Sequence, residues 1–288
     1  MTAPADRSLL LATDLSPRCD RATDRAIALA RHALAGRAVA VTVVEPVERS
    51  ERNVPRHDLP GWYNEPTDAQ LARRRLEREF ESGPRPWEVS VGEGAAGERV
   101  ASLLDAMGEA LVVTGPVRSS ALGPAVLGST LDRLLRRPGT SLLMVNDRVH
   151  RPYRRLLLAS DFSEACRVAM QRARALFPDA AMTVLHGHGV PMLGLLDTTR
   201  DQALADTRAQ LREEGRAFLR GAGLDDSVEL LVEHGDPARL VQQYVDSIGA
   251  DLVVLGTHGR GAIHELVVGS VARRMLTKVQ ADMLVVRG

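Results

Sequence analysis

Short apolar runs alternate with longer amphipathic stretches along most of the 288-residue chain. The runs are continuous and rich in valine and leucine, which is typical of strands that are buried on both faces of a parallel sheet. Five strands that alternate with four helices predict an α/β domain with a doubly wound parallel sheet in the second half. The predicted strands are Arg155 to Ser160, Ala181 to Gly187, Val228 to Gly235, Asp251 to Gly256 and Asp282 to Gly288, and the predicted helices are Ser163 to Leu176, Arg200 to Gly221, Pro237 to Ile248 and Ser270 to Val279.

An internal repeat relates the two halves of the chain. The segment Leu9 to Ser16 reads LLLATDLS, and it is matched 147 positions later by LLLASDFS at Leu156 to Ser163. The same offset carries Cys19 onto Cys166, so the two cysteines mark a duplication and do not predict a disulfide.

A second match, between Gly108 to Gly115 and Gly249 to Gly256, lies at an offset of 141. The repeat therefore predicts two tandem domains of the same five-stranded fold, over residues 1–147 and 152–288, with a short linker between them.

Helix signals agree with this division. Ser16, followed by a proline, is predicted to cap the first helix, and Ser163 is its counterpart in the second half. An arginine-rich and glutamate-rich helix is predicted near Asp68 to Glu81. We interpret it as a solvated face with ion pairs between successive turns, and not as a nucleic-acid patch.

Composition narrows the possible functions. The 37 basic residues balance the 37 acidic ones, which does not favour nucleic-acid binding. No apolar run approaches the roughly 18 residues of a membrane span, and the start of the chain lacks the pattern of a secretory leader, so a cytoplasmic location is predicted. Neither cysteine has the spacing of a metal motif, and both are predicted to be buried reduced thiols.

The candidate chemistry lies in the stretch from Gly256 to Ser270, where a predicted strand ends, a glycine-bearing loop follows and a helix begins. Glycines allow the main chain to approach an anion closely, and the N–H groups at a helix start favour phosphate. The glycines Gly256, Gly259 and Gly269 with Ser270 form the pattern G-x2-G-x9-G-[S/T]. The Ser270 hydroxyl would either cap the helix or donate to a phosphate oxygen.

With this pattern, the chain resembles the universal stress protein family along nearly its whole length. The strand-end residues Asp14 and Asp161, the Leu185-His186 end of the second strand and the closing Val285-Val286-Arg287 also carry the resemblance. It implies two tandem Rossmann-like domains of the adenine nucleotide alpha hydrolase-like type. It also implies a stress-response protein that binds ATP, with AMP or ADP as alternatives, together with Mg2+ or Mn2+.

The resemblance also assigns site residues in the second half. Next to adenosine it places Ala159, Asp161, Gly187, Leu255 and Gly256, although Gly187 stands where the family usually has an apolar residue. Around the ribose and phosphates it places Gly259, Gly269, Ser270 and Val271. Family members commonly dimerise through the last strand, which implies an intramolecular pseudo-dimer here and leaves a further homodimer open.

The first half departs from the glycine pattern. Arg118 stands where the second glycine belongs, and Pro116 removes one N–H donor. A long side chain at a position of close phosphate approach would block the space, so we predict that this half does not bind ATP in the usual way. The alternative is that the Arg118 guanidinium itself reaches a phosphate.

Two further interpretations stay open at this point. His186, His188 and His234 fall near predicted strand ends and form a candidate zinc site. The protein is interpreted as a regulatory ATP-binding module with an unidentified protein partner, without a predicted catalytic residue. The alternative is a phosphate-transferring or ATP-hydrolysing enzyme, although no hydrolase elbow or Walker loop is present.

Overall fold

Ten strands and eight helices are found in the part of the chain that the computed structural model describes, which is residues 8–32, 36–44, 62, 66–81, 83, 85–116, 128–189, 197–224, 227–257 and 269–287. The strands are β1 Ser8–Ala12, β2 Ala38–Val44, β3 Glu88–Glu93, β4 Ala110–Thr114, β5 Ser141–Met144, β6 Arg155–Ala159, β7 Ala181–His188, β8 Glu229–His234, β9 Leu252–Gly256 and β10 Met283–Val286. The helices are α1 Asp20–His32, α2 Asp68–Phe80, α3 Ala96–Met107, α4 Ser129–Arg136, α5 Glu164–Leu176, α6 Asp197–Gly221, α7 Pro237–Ser247 and α8 Ser270–Lys278.

All ten strands belong to one sheet, in the order β3-β2-β1-β4-β5-β10-β9-β6-β7-β8. Within each half every neighbouring pair of strands is parallel. Each half therefore has the strand order 3-2-1-4-5 of a doubly wound fold, as the sequence predicts.

The two halves join at β5 and β10, which pair antiparallel. Ser141 lies opposite Val286, and Met144 lies opposite Met283, so the pairing covers both four-residue strands completely. These are the last strands of the two halves, where the family resemblance expects the halves to meet. The pairing removes two sheet edges that would otherwise be open to solvent.

Helices cover both faces of the sheet. Helices α1, α2, α5 and α6 pack on one face, around buried residues such as Leu76 and Phe218. Helices α3, α4, α7 and α8 pack on the other face, around Leu104, Leu134 and Met275. Because both faces are covered, the strands read as continuous apolar runs, and this is why their positions could be predicted.

The predicted elements of the second half are all present, with ends that differ by at most three residues. Helix α2 also forms at its predicted place, with Thr67 and Gln70 in a reciprocal capping box. The expected cap at Ser16 is wrong: residues 17–19 form a 3-10 turn, and the Ser16 hydroxyl makes no capping bond. It donates instead to the Asp14 carboxylate at 2.5 Å.

None of the helices in the described ranges is long and apolar enough to cross a bilayer.

Candidate functional site

A cavity of about 390 Å3 opens at the carboxyl ends of the parallel strands in the C-terminal half. It lies where β6 has β7 on one side and β9 on the other, which is the point where the strand order reverses. Ligands of doubly wound folds bind at this kind of crevice, because the loops on its two sides turn away from each other. The cavity is within the size range of small-molecule sites, which is roughly 300–1,000 Å3.

Eight of the nine residues that the sequence singles out for nucleotide line this cavity. They are Ala159, Asp161, Gly187, Leu255, Gly256, Gly269, Ser270 and Val271. The ninth, Gly259, lies outside the described residues, as does Arg118 in the first half. The structure therefore brings together residues that are more than 100 positions apart in the chain.

Asp161 is held at the cavity by a tight turn after β6. Its Oδ1 accepts a hydrogen bond from the Ser163 backbone N–H at 3.0 Å and lies 3.3 Å from the Cys166 thiol. Phe162, the residue between Asp161 and Ser163, has a φ of 61°, a left-handed conformation that is costly for a residue with a side chain. This strained turn thus holds the Asp161 carboxylate at the edge of the sheet.

The turn leads directly into α5, which Ser163 caps as predicted. Its hydroxyl accepts a hydrogen bond from the Cys166 N–H at 3.3 Å. Cys166 itself is buried and unbridged, as is Cys19, which confirms the predicted reduced thiols. Burial is the main reason that the pKa of the Cys166 thiol is raised, so this thiol lines the cavity in its protonated form.

Gly187 lines the cavity at a point where α7 approaches β7 closely. A Cβ at this position would lie 3.0 Å from the Cα of Pro237 and 3.1 Å from a methyl group of Leu240. Pro237 and Val241 contribute the apolar wall here. The apolar surface that residue 187 lacks is therefore supplied by the first turns of the neighbouring helix.

The other end of the cavity is formed by the end of β9 and the start of α8. Thr257 is fully buried, and its carbonyl oxygen accepts a hydrogen bond from the Gly269 N–H at 3.0 Å, which joins the two ends of the glycine-rich segment. Gly269 is the N-cap of α8, and Ser270 is the first helical residue. Ser270 therefore does not cap the helix, and this alternative from the sequence is wrong.

The first residues of α8 line the cavity, and no side chain among the residues described caps this helix start. Uncapped N–H groups and the positive end of the helix dipole both favour an anion. Gly256 lets the strand end approach α5, because a Cβ there would lie 2.9 Å from the Ala165 carbonyl carbon.

The histidines do not form the candidate zinc site. The ring centroids of His186 and His188 are 6.5 Å apart, and those of His188 and His234 are 5.7 Å apart. In the described part of the chain no group of three or more His, Cys, Asp or Glu side chains is arranged to hold a metal ion. His186 instead places Nδ1 2.8 Å from the Ser160 carbonyl oxygen and stacks on Phe162.

His188 is buried with neither ring nitrogen hydrogen-bonded, and its pKa is lowered, first by burial and then by the nearby His234 and His186. It is therefore neutral, and it is the last residue of β7, opposite His234 at the end of β8.

Sequence reasoning did not assign several of the lining residues to the nucleotide site. They are Ser160, Cys166, Leu185, His186, Pro237, Val241, Thr257, Ala272 and Met275. Most are apolar residues of the strands and helices that line the cavity, so no local pattern marks them as part of a site. Helical spacing could have identified Ala272 and Met275, because they follow Gly269 by three and six residues and share a helix face with it.

The fold and the cavity define the chain as a tandem α/β protein with a ligand crevice in its second half. A family model described as the universal stress protein family matches residues 7–146 and 152–287. The chain therefore belongs to the universal stress protein family, and it contains the family domain twice.

A relative carries the same family name, and solved structures share the fold. A universal stress protein of Mycolicibacterium smegmatis is 32% identical over 200 residues, an alignment that covers 65% of each chain and so less than two thirds of that protein. A crystal structure of a candidate universal stress protein from Pseudomonas aeruginosa has a TM-score of 0.67 at 20% identity and covers 99% of this chain and 94% of that one. A universal stress protein from Archaeoglobus fulgidus gives a TM-score of 0.61 at 15% identity and covers 98% and 99%.

Proposed function

We propose that the C-terminal half is a regulatory module that binds an adenine nucleotide, with ATP as the first candidate, in the cavity between β6 and β9. The observation that carries the proposal is the convergence of strand-end, turn and helix-start residues on one crevice of suitable size. The glycine pattern and the family membership favour an adenine nucleotide as the occupant. In this role the bound nucleotide would set the surface that a protein partner contacts.

The two ends of the cavity suit the two ends of a nucleotide. The wall formed by Leu185, Pro237 and Val241 is apolar and suits a base, while Asp161 is an acceptor for ribose hydroxyl groups. The N–H groups at the start of α8 suit the phosphates. We therefore expect the base to lie against the apolar wall and the phosphates to lie at the start of α8.

A divalent cation fits the site only as a partner of the phosphates. The described residues offer no preformed metal group, and the side-chain oxygens of the cavity lining are the Asp161 carboxylate and the hydroxyls of Ser160, Thr257 and Ser270. Mg2+ typically keeps several waters and binds through phosphate oxygens with one or two carboxylates. We therefore expect Mg2+ or Mn2+ to enter with the nucleotide.

Calorimetric titration of the full-length protein with Mg-ATP tests the proposal. We expect one nucleotide per chain with a micromolar dissociation constant. Gly259→Arg should remove most of this binding while the melting temperature stays near that of the wild type, because the change crowds the phosphates and not the core. Arg118→Gly, the reverse change at the corresponding position of the first half, is the control and should leave the affinity of the C-terminal site unchanged. Two equivalent sites in the wild type, or none, would contradict the proposal.

Recovery of the bound nucleotide separates a binding module from an enzyme. If the protein is a binding module, ATP remains unhydrolysed after hours with Mg2+ present. Release of ADP and phosphate at an enzymatic rate would instead support the phosphate-transferring alternative.

A further inference from the structure

His186 lines the cavity on the side of β7. Strand β6 separates β7 from β9, the strand that leads toward α8, so this residue and the start of α8 lie on opposite sides of β6. Its neighbours on the strand, Leu185 and Gly187, line the cavity with it, next to the apolar wall that α7 supplies. In the orientation that we expect for a nucleotide, His186 is therefore beside the base and not beside the phosphates.

Two contacts hold the His186 ring in place. The ring stacks on that of Phe162, with the centroids 4.6 Å apart and the planes inclined by 20°. Its Nδ1 lies 2.8 Å from the Ser160 carbonyl oxygen. Because the ring is already ordered by these contacts, little further side-chain entropy is lost when it contacts a ligand.

The bond to Ser160 also decides what the other ring nitrogen can do. A carbonyl oxygen only accepts hydrogen bonds, so Nδ1 carries the proton, and Nε2 of the neutral ring is then an acceptor. No residue in the described ranges donates to Nε2. This atom is also not enclosed in the way that both ring nitrogens of His188 are. The β7 side of the cavity thus holds an ordered acceptor that a ligand can use.

An acceptor beside the base distinguishes two kinds of purine. Adenine carries an exocyclic amino group, which donates hydrogen bonds, whereas hypoxanthine has at the same position a carbonyl oxygen, which only accepts them. Two acceptors that face each other leave both unpaired, and a site built around a hydrogen bond rejects the analogue that cannot form it.

We propose that His186 Nε2 accepts a hydrogen bond from the amino group of the base, and that the cavity thereby selects amino-bearing purine nucleotides over their keto-bearing analogues. The inference rests on the proposed function and deepens it, because it names the chemical class of base and the residue that recognises it.

Titration of the full-length protein with Mg-ATP and with the magnesium complex of inosine triphosphate tests the inference, because the two nucleotides differ only at this amino group and the ring nitrogen beside it. The wild type should prefer ATP about tenfold or more, the effect of one hydrogen bond with an otherwise unpaired partner. His186→Asn retains an N–H near the place of Nδ1 but has no atom at the place of Nε2. It should therefore bind ATP about tenfold more weakly and lose most of the preference.

His186→Gln separates recognition of the base from a structural role. Its amide reaches the place of Nε2 and can turn to accept or to donate, so it should keep the affinity for ATP and gain affinity for inosine triphosphate. A structural role would change the binding of both nucleotides by the same factor in each variant. His234→Asn is the matched control, because His234 is close to His188 but does not line the cavity, and it should leave the preference unchanged.

Equal affinity of the wild type for the two nucleotides, or a wild-type preference in His186→Asn, would overturn the inference. Thermal melting followed by circular dichroism shows whether the variants fold. If His186→Asn does not fold, His186→Gln decides, and an unchanged preference there would overturn the inference as well. Binding of neither nucleotide by the wild type would instead refute the proposed function, so the two failures are distinguishable.

Discussion

The two halves share a framework and differ at the edge where a ligand would bind. Both have the same strand order, a buried cysteine after the first strand, and a left-handed residue after the strand-end aspartate, with φ values of 57° at Leu15 and 61° at Phe162. The first half then pairs Asp14 with Arg18, whereas the second half has a cavity at Asp161. The sheet and the turns are therefore shared, and the described difference lies in the side chains around the two strand-end aspartates.

The halves differ also where they join. Asp282, immediately before β10, is buried and accepts hydrogen bonds from the Tyr153 hydroxyl and the N–H groups of Asn146 and Asp147. Arg25 lies 3.4 Å from the same carboxylate and stacks on the Tyr153 ring. The position before β5 carries instead a buried threonine, Thr140. The C-terminal half thus supplies the carboxylate that lies beside the buried Arg25 guanidinium and accepts hydrogen bonds from the chain just before the second half.

Removal of this anion should have the largest effect on stability. We expect Asp282→Ala to lower the free energy of unfolding by about 3–5 kcal/mol, because it leaves the buried Arg25 guanidinium without its counterion. Chemical denaturation followed by circular dichroism measures the change.

Thr140→Val provides the matched control on the other side of the junction. The Thr140 hydroxyl is buried without a hydrogen-bond partner, so its replacement by a methyl group should be neutral or slightly stabilising. If both substitutions cost the same, the junction would depend on strand pairing alone and not on the buried charge.

The glycines at the ends of the fourth strands, Gly115 just after β4 and Gly256 as the last residue of β9, give the next largest effect. Gly256→Ala would place a Cβ against backbone atoms of Ala165 and Cys166 at 2.9–3.1 Å, and backbone cannot move cheaply. We expect about 1–3 kcal/mol of destabilisation, because overpacking forces α5 away from β9. Nucleotide affinity should fall with it, since both elements line the cavity.

The corresponding change in the first half should be milder. A Cβ on Gly115 meets the Cys19 sulfur at 2.8 Å, and a side chain can shift more easily than a backbone. Gly115→Ala should therefore leave Mg-ATP affinity unchanged in a calorimetric titration. Loss of binding in this variant would mean that the first half contributes to the nucleotide site.

Much of the fold could be predicted because its signals are local. Strands such as Leu252–Gly256 are buried on both faces and read as apolar runs, and the repeat showed that the same pattern occurs twice. The cap at Ser163 was also local and correct, whereas at Ser16 the chain forms a 3-10 turn and the hydroxyl donates to Asp14. Both serines lie two residues after a strand-end aspartate, so the capping pattern alone does not distinguish them.

The candidate site, too, could be predicted from the sequence only in part. The residues that carry the glycine pattern and the strand-end aspartate could be named from sequence, and those within the described ranges line one cavity. The residues that complete its wall, such as Pro237 and Val241, could not, because they come from a helix that packs beside Gly187.

The smallest expected effect concerns the linker before the second half and depends on pH. Asp251 accepts hydrogen bonds from the N–H groups of Arg154 and Arg155 and from the Arg151 guanidinium. Burial alone would raise its pKa, but these bonds outweigh burial and lower it. A carboxyl group with a lowered pKa in the folded state stabilises the fold above its unfolded pKa of about 4, and this contribution is lost as the pH falls through the folded pKa. We expect Asp251→Asn to cost about 1 kcal/mol at pH 7, because the amide oxygen keeps part of the bonding but loses the charge.

Denaturation of wild type and variant at neutral and acidic pH checks this sign, since the difference between them should shrink as the pH falls below about 4. Glu88→Gln is the control in the first half. The Arg37 side chain lowers the pKa of Glu88 as well, mainly by hydrogen bonding, but that pair is more than half exposed. Solvent and salt screen an exposed pair, so its removal should change stability little at any pH. Equal losses in the two variants would show that the linker bonds are no stronger than a surface ion pair.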